Sequence, residues 1–251
     1  LYWNMPVVLE TFDGLLNDIN GFHVKPEHVA EALGAAAGGA VTEGAVGGGS
    51  GMICHEFKGG IGTASRRLSN AQGGWTVGAI VQANHGIRNE LRVDGYPVGR
   101  YMEQADSPFL KASLPHPGMG SIVVCLATDA PLLPHQCTRL AQRASLGLAR
   151  TGGGNEDHSG DIFIAFATGN DMPPAAYESK RAPTTDNLSM VNNDHISELF
   201  LAATEAVEEA IINALLAADT AEGNGHAVPG LDAETLLKAL HQAGWPGAAN
   251  D

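Results

Sequence analysis

Gly120-Ser121 stands immediately before the apolar run Ile122-Val123-Val124-Cys125-Leu126-Ala127. A serine at the first residue of a buried strand has an option that an interior serine lacks. If the peptide bond before it breaks, Ser121 becomes a chain terminus carrying both a hydroxyl and a free α-amine, and the amine can act as base toward its own hydroxyl. An α-amine has a pKa of about 7.7–8.0, so part of it is neutral near pH 7 with no histidine required. Glycine ahead of the serine allows the bent backbone that an acyl shift from nitrogen to oxygen needs. Taken alone, the pair is a weak signal, because most such pairs before strands are ordinary turns. A second polar side chain at a strand end is Asn84, which follows the apolar stretch Val77 to Ala83. Its amide could donate to the oxyanion of a tetrahedral intermediate; the plainer reading is a turn asparagine before Gly86.

Other chemistries find no support. Gly47-Gly48-Gly49-Ser50-Gly51 lacks the Lys-Ser/Thr of a phosphate loop, and Gly59-Gly60-Ile61-Gly62 does not have dinucleotide-binding spacing. These glycines read as tight turns and close backbone approaches. The ten histidines contain no HExxH pair, and His158, beside Ser159, reads as a solvated loop residue. The three cysteines, Cys54, Cys125 and Cys137, have neither ligand spacing nor the even count of a disulfide framework; Cys54 and Cys125 read as small core residues. No cofactor and no metal are expected. Asn187-Leu188-Ser189 fits a glycosylation sequon by chance.

The elements that must position these groups come from periodicity. Strands are expected at Pro6 to Leu9, Met52 to Phe57, Trp75 to Ala83, Ser121 to Thr128 and Asp161 to Thr168, with Gly59 to Thr63 as a connection between the second and third. Helices are expected over Pro26 to Ala37, Pro134 to Leu148, about Asp194 to Ala218, and about Ala233 to Ala243. The 194–218 segment repeats apolar residues at intervals of three and four, the mark of one buried face. Residues 90–117 and 173–188 read as irregular connections. The mixed order of strands and helices suits an α+β layered fold better than strict βαβ alternation.

Composition bounds the partners. With 251 residues, 44% hydrophobic and 17% charged, the chain can bury a sizeable core. A formal net charge of -14 argues against nucleic acid, because neutralising phosphates needs clustered Lys and Arg. No apolar run spans a membrane and no signal peptide is visible. The chain opens Leu1-Tyr2-Trp3 without methionine, which reads as a fragment or a processed form. The sequence leaves the compartment unknown, with the cytoplasm slightly favoured and the periplasm open.

Several segments, taken in order, carry a family resemblance: Glu10-Thr11-Phe12-Asp13-Gly14, Leu16 to Gly21, Gly47 to Met52, Phe57 to Arg66, Val81-Gln82-Ala83-Asn84, Ala127 to Leu132 and Ser159-Gly160-Asp161-Ile162-Phe163. Together they resemble the DmpA family of L-aminopeptidase/D-esterases and β-aminopeptidases over nearly the whole chain. The resemblance implies a four-layer αββα sandwich, like that of the N-terminal-nucleophile (Ntn) hydrolases but connected differently. It also implies self-cleavage between Gly120 and Ser121, dividing a single domain, 1–251, into an α part, 1–120, shortened at its start, and a β part, 121–251.

The same resemblance assigns roles. Ser121 is the nucleophile. Ser159 relays hydrogen bonds to it, and Asp161, where some relatives carry glutamate, holds that serine and biases the charge of the new amine; otherwise Ser159-Gly160-Asp161 is a plain turn. Glu10 receives the substrate's free amino group, or is a solvated loop acid. Phe12 falls where relatives often carry a tyrosine that assists the oxyanion site, and phenylalanine has no donor. The expected activity is a self-processing serine aminopeptidase or amidase, releasing N-terminal residues, including small, D- or β-amino acids, from short peptides, amides or esters. The expected assembly is a homo-oligomer of αβ units. Two other readings remain: acyl transfer to an amine acceptor, and an unprocessed, inactive scaffold or binder.

Overall fold

A computed structural model describes residues 6–109, 120–171 and 185–247. Its centre is a four-stranded sheet in the order β3–β4–β5–β6, formed by Gly60–Arg67 (β3), Thr76–Asn84 (β4), Ser121–Thr128 (β5) and Ile162–Ala167 (β6). β4 is antiparallel to both of its neighbours, β3 and β5, whereas β5 and β6 are parallel. This mixture decides where the site lies. The C-terminal end of β4 and the N-terminal ends of β5 and β6 meet at one end of the sheet, with Asn84 directly opposite Ser121.

Side chains alternate across a strand. Val77, Ala79, Val81 and Ala83 of β4 and Ile122, Val124 and Leu126 of β5 are buried on one face. There they meet helix α4, Ser197–Leu216, whose apolar stripe includes Leu199, Ala203, Val207 and Ala210. α4 comes close to β3 because Gly62 has no side chain: a methyl there would overlap the Ala210 carbonyl oxygen. Residues 60–63, expected as part of a connection, are the start of β3, and Gly62 marks where the helix packs hard against the sheet.

The expected helix over 134–148 is two, α2 (Pro134–Ala141) and α3 (Ala144–Arg150). The break at 142–143 sets Arg143 over the Phe200 ring of α4 at 4.2 Å, with Arg139 over the same ring at 5.0 Å. The expected strand over 52–57 is a tight hairpin of β1 (Ile53–Cys54) and β2 (Phe57–Lys58), because His55 and Glu56 both take positive φ, +48° and +63°. Pro6 to Leu9 form no strand. Helix α1 (Pro26–Gly34) starts where expected, ends three residues short of the expected Ala37, and buries none of its residues. A further hairpin, β7 (Ala221–Gly223) with β8 (His226–Val228), turns on Asn224-Gly225, both left-handed, a hairpin signal that periodicity passes over. α5 is Ala233–Gln242, as expected. Of the irregular segments, 110–117 and 173–184 lie outside the described residues.

The second face of the sheet carries Gln82, Asn84, Ser121, Val123 and Cys125, so Cys125 is half-buried rather than a core residue. At the site end this face is covered by the 11–12 and 43–52 segments. Further along, Ile80, Ile162 and Phe166 stand 38%, 40% and 48% exposed. The described residues thus form one helical layer and one sheet layer of an α+β sandwich.

Candidate active site at the Gly120–Ser121 turn

Ser121 begins β5, half-buried, and its Oγ accepts a hydrogen bond from the Gly160 N–H at 2.9 Å. The loop 152–161 delivers that donor. It leaves α3 through Gly152 and Gly154, which have φ of +95° and +91°, a conformation an L side chain resists. One residue to each side of Gly160, Ser159 Oγ donates to Asp161 Oδ1 at 2.5 Å. The same carboxylate oxygen accepts the Ile122 N–H at 3.2 Å. Asp161 therefore ties the Ser159 loop to the residue after the proposed nucleophile, and the three chemical groups expected from the sequence converge within one hydrogen-bonded turn.

Gly120 is forced to be glycine. A methyl on its Cα would overlap the Asn84 carbonyl oxygen and press on the His85 backbone. The peptide bond before Ser121 is thus clamped against the end of β4.

Asn84 is 4% exposed and sits opposite Ser121, but its amide is committed. Nδ2 donates to the Phe12 carbonyl at 2.8 Å, and Oδ1 accepts the Ile53 N–H, also at 2.8 Å. One Nδ2 hydrogen remains for another acceptor. Two strand positions earlier, Gln82 Nε2 donates to Thr11 Oγ1 at 2.7 Å, and that hydroxyl donates to Met52 Sδ. Asn84 and Gln82 together pin residues 11–12 across the end of β4. This sets the Phe12 backbone beside Asn84; Phe12 is 53% exposed, and Glu10, two residues earlier, is exposed as well. The Phe12 ring offers apolar surface there, and its contribution to the polar network is its backbone carbonyl. Tyr2 and Trp3 lie outside the described residues.

The model of peptidase family S58 matches residues 2–228. The chain belongs to peptidase family S58. Among its S58 relatives, "Beta-peptidyl aminopeptidase BapA" of Sphingosinicella microcystinivorans is 47% identical over 248 residues, covering 94% of this chain and 61% of that protein. A solved Burkholderia sp. β-aminopeptidase superposes with a TM-score of 0.90 at 64% identity, over 98% of this chain and 67% of its own. The L-aminopeptidase D-Ala-esterase/amidase of Ochrobactrum anthropi, described as a prototype for the serine aminopeptidases and a new variant among the Ntn hydrolase fold, superposes with a TM-score of 0.86 at 46% identity, over 98% of this chain and 65% of its own. The S58 chain has the α+β fold of these Ntn-type neighbours, and it spans about three fifths of the length of the curated relatives it matches.

Three polar residues around the S58 turn escaped sequence reasoning. Lys58 is fully buried and donates to the carbonyls of Gly49, Met52 and Gly59 at 2.9, 2.9 and 2.7 Å. It fastens the glycine-rich loop that presents the Ile53 N–H to Asn84, and burial pulls its ammonium down to about 8. Arg88, also fully buried, lies 3.8 Å over the Phe57 ring, donates to the Glu56 and Glu103 carbonyls and pairs with Asp106, anchoring the segment that leads out of the 3-10 turn at 98–101. Glu156 is half-buried with Oε1 unpartnered, and its carboxyl is pushed up, first by burial and then by the nearby charges of Glu90 and Asp161. Long polar side chains in glycine-rich surroundings read as solvated; only the chain path around them shows that they are enclosed.

Proposed function

We propose that this chain is a self-processing serine aminopeptidase or amidase with Ser121 as nucleophile. The observation that carries the reading is the clamped Gly120–Ser121 bond at the start of β5, with the Ser159–Asp161 pair joined to it through the Gly160 and Ile122 N–H groups. The names of the S58 relatives point the same way.

In the first step Ser121 Oγ attacks the Gly120 carbonyl carbon. The C–N bond breaks, the hydroxyl proton passes to the leaving nitrogen, and an ester links Gly120 to Ser121 Oγ. Water hydrolyses the ester, giving a Gly120 carboxylate and a Ser121 residue with a free amine and a free hydroxyl. In the second phase that amine takes the proton of its own hydroxyl, with Ser159 as relay and Asp161 holding Ser159. Oγ attacks a substrate amide or ester, the leaving amine or alcohol takes the proton, and water resolves the acyl-enzyme. The remaining Nδ2 hydrogen of Asn84 and backbone N–H groups offer donors for the oxyanion, a service worth about 2.7–4 kcal/mol per donor. The exposed Glu10 carboxylate provides a counter-charge for a substrate ammonium, which selects amino-terminal residues. The processed molecule is one domain made of 1–120 and 121–251, and its αβ units self-associate.

Denaturing mass spectrometry tests this directly. Two fragments divided between residues 120 and 121 are expected, together with release of amine from amino-acid amides and β-amino-acid amides. Ser121→Ala should remain intact and inactive. An intact, inactive wild-type chain would overturn the proposal.

A further inference from the structure

The β1–β2 hairpin and the residues after β4 meet directly behind the Gly120–Ser121 turn, and three ligand-type side chains converge there: Cys54, His55 and His85. All three are buried, the first two completely. Their ligand atoms lie within 4.8 Å of one another, with Cys54 Sγ 3.9 Å from His85 Nδ1 and 4.0 Å from its Nε2. The hydrolytic steps above use none of them.

His55 is the informative member. Its Nδ1 lies 3.0 Å from the Ile87 carbonyl oxygen, which can only accept, so Nδ1 carries the proton. Nε2 is left with a bare lone pair, buried and without a partner among the described residues. A carbonyl on one imidazole nitrogen and a free lone pair on the other is how ligating histidines are oriented. The backbone goes to some length to place this ring. His55 is left-handed at φ +48°, its N–H donates to the His85 carbonyl at 2.7 Å, and Gly86, left-handed at +88°, leaves the space in which the ring sits. Strain of this kind persists where the surroundings over-determine it, and it clusters at functional positions.

We propose that Cys54, His55 and His85 bind one Cu(I) ion in a three-coordinate site of one thiolate and two imidazoles. A metal–sulfur bond of about 2.3 Å and metal–nitrogen bonds of about 2.0–2.1 Å set the donors of a trigonal site roughly 3.5–3.8 Å apart. Each pair of ligand atoms therefore closes by at most about 1.3 Å from its present separation, and the His85 ring, whose two nitrogens are almost equally far from Cys54 Sγ, turns to aim one of them at the metal. On binding, the Cys54 S–H bond breaks, its proton goes to solvent, and the sulfur–copper bond forms without redox change. Imidazole binds a metal as the neutral ring and cysteine as the thiolate, so the metal displaces a proton from sulfur alone. Charge selects the ion. Thiolate plus Cu(I) is neutral, whereas thiolate plus Zn(II) leaves a positive charge that interacts with the buried ammonium of Lys58, and a closed zinc site takes four protein ligands where this cluster offers three. Soft thiolate and imidazole donors suit Cu(I).

The test is an anaerobic titration of the full 251-residue chain with Cu(I) against the chromophoric chelator bicinchoninate, with Zn(II) titrated in parallel. One equivalent of Cu(I) withdrawn from the chelator is expected, with Zn(II) held at least 100-fold more weakly and copper X-ray absorption showing one sulfur and two nitrogen neighbours. Cys54→Ser should lose the site while the Cys125→Ser/Cys137→Ser double variant keeps it; should Cys54→Ser fail to fold by circular dichroism, His55→Gln gives the same reading. Ser121→Ala should bind Cu(I) as the wild type does, which separates this site from the hydrolytic one. Copper left entirely with the chelator, binding that follows Cys125 and Cys137 instead, or equal affinity for Zn(II) would each overturn the proposal.

Discussion

At the Gly120–Ser121 turn, each residue is constrained by a different force. Gly120 is constrained by volume. Gly120→Ala pushes a methyl into the Asn84 carbonyl, so it is expected to cost about 1–3 kcal/mol in urea unfolding and to slow or abolish the 120/121 split seen by mass spectrometry. Asn84 is constrained by hydrogen bonding. Asn84→Ala leaves the Ile53 N–H and the Phe12 carbonyl unpaired and releases residues 11–12 from β4, with an expected loss of about 1–3 kcal/mol. In the proposed mechanism Ser121, once an N-terminus, is constrained by protonation. Its amine must be neutral to accept the hydroxyl proton, so kcat/KM is expected to rise with pH through about 7.7–8.0 and then level. A profile flat from pH 6 to 9 would remove the amine from its role as base. Glycine before serine was legible in the sequence. The engagement of Asn84 with two backbone groups was not, because both partners are distant in sequence.

At the scale of elements, the glycine-rich hairpin region and the sheet beside it are held by side chains that periodicity cannot rank. Lys58 is the clearest case, a cation answered by three backbone carbonyls. Its folded pKa of about 8 lies below the ordinary 10.5, so between these values the unfolded chain binds more protons and stability rises with pH. Measured against Lys58→Met, the wild type is expected to gain relative stability between pH 7.5 and 10, by at most about 1.4 kcal/mol per pH unit. No change in that difference would mean that the ammonium is not desolvated. The helix α4 was readable from its repeating apolar stripe, whereas β3 beneath it was not. Residues 60–62 look like a loop by composition, yet they open β3, because the backbones of α4 and of Gly44 take the space that side chains at Gly62 and Gly60 would fill.

Across the whole molecule, the sheet is asymmetric. One face is sealed by α4 and its neighbours, and the other leaves Ile80, Ile162 and Phe166 partly in water. Apolar surface of this kind drives association. The 251-residue chain is expected to show concentration-dependent mass in light scattering, and the Ile80→Lys/Phe166→Lys variant to shift it toward the single unit with little loss of thermal stability. An unchanged mass would place the contacts elsewhere. The charge balance seen in the sequence limits what such surfaces meet, and among the described residues no helix is long and apolar enough to cross a membrane.

The sequence by itself determined the quantities that depend on near neighbours: the stripe of α4, the alternation along β5, the glycine–serine bond at its start and the ordered motifs of an S58 peptidase. Tertiary structure alone decided which distant groups touch. It set Gly160 on the Ser121 hydroxyl, spent the Asn84 amide on residues 12 and 53, enclosed Lys58, and brought Cys54, His55 and His85 together. The reason is physical. Periodicity and turn chemistry act over a few residues, but burial and hydrogen-bond satisfaction are settled only when strands far apart in the chain lie side by side, and at those contacts a missing methyl or a single carbonyl chooses the geometry.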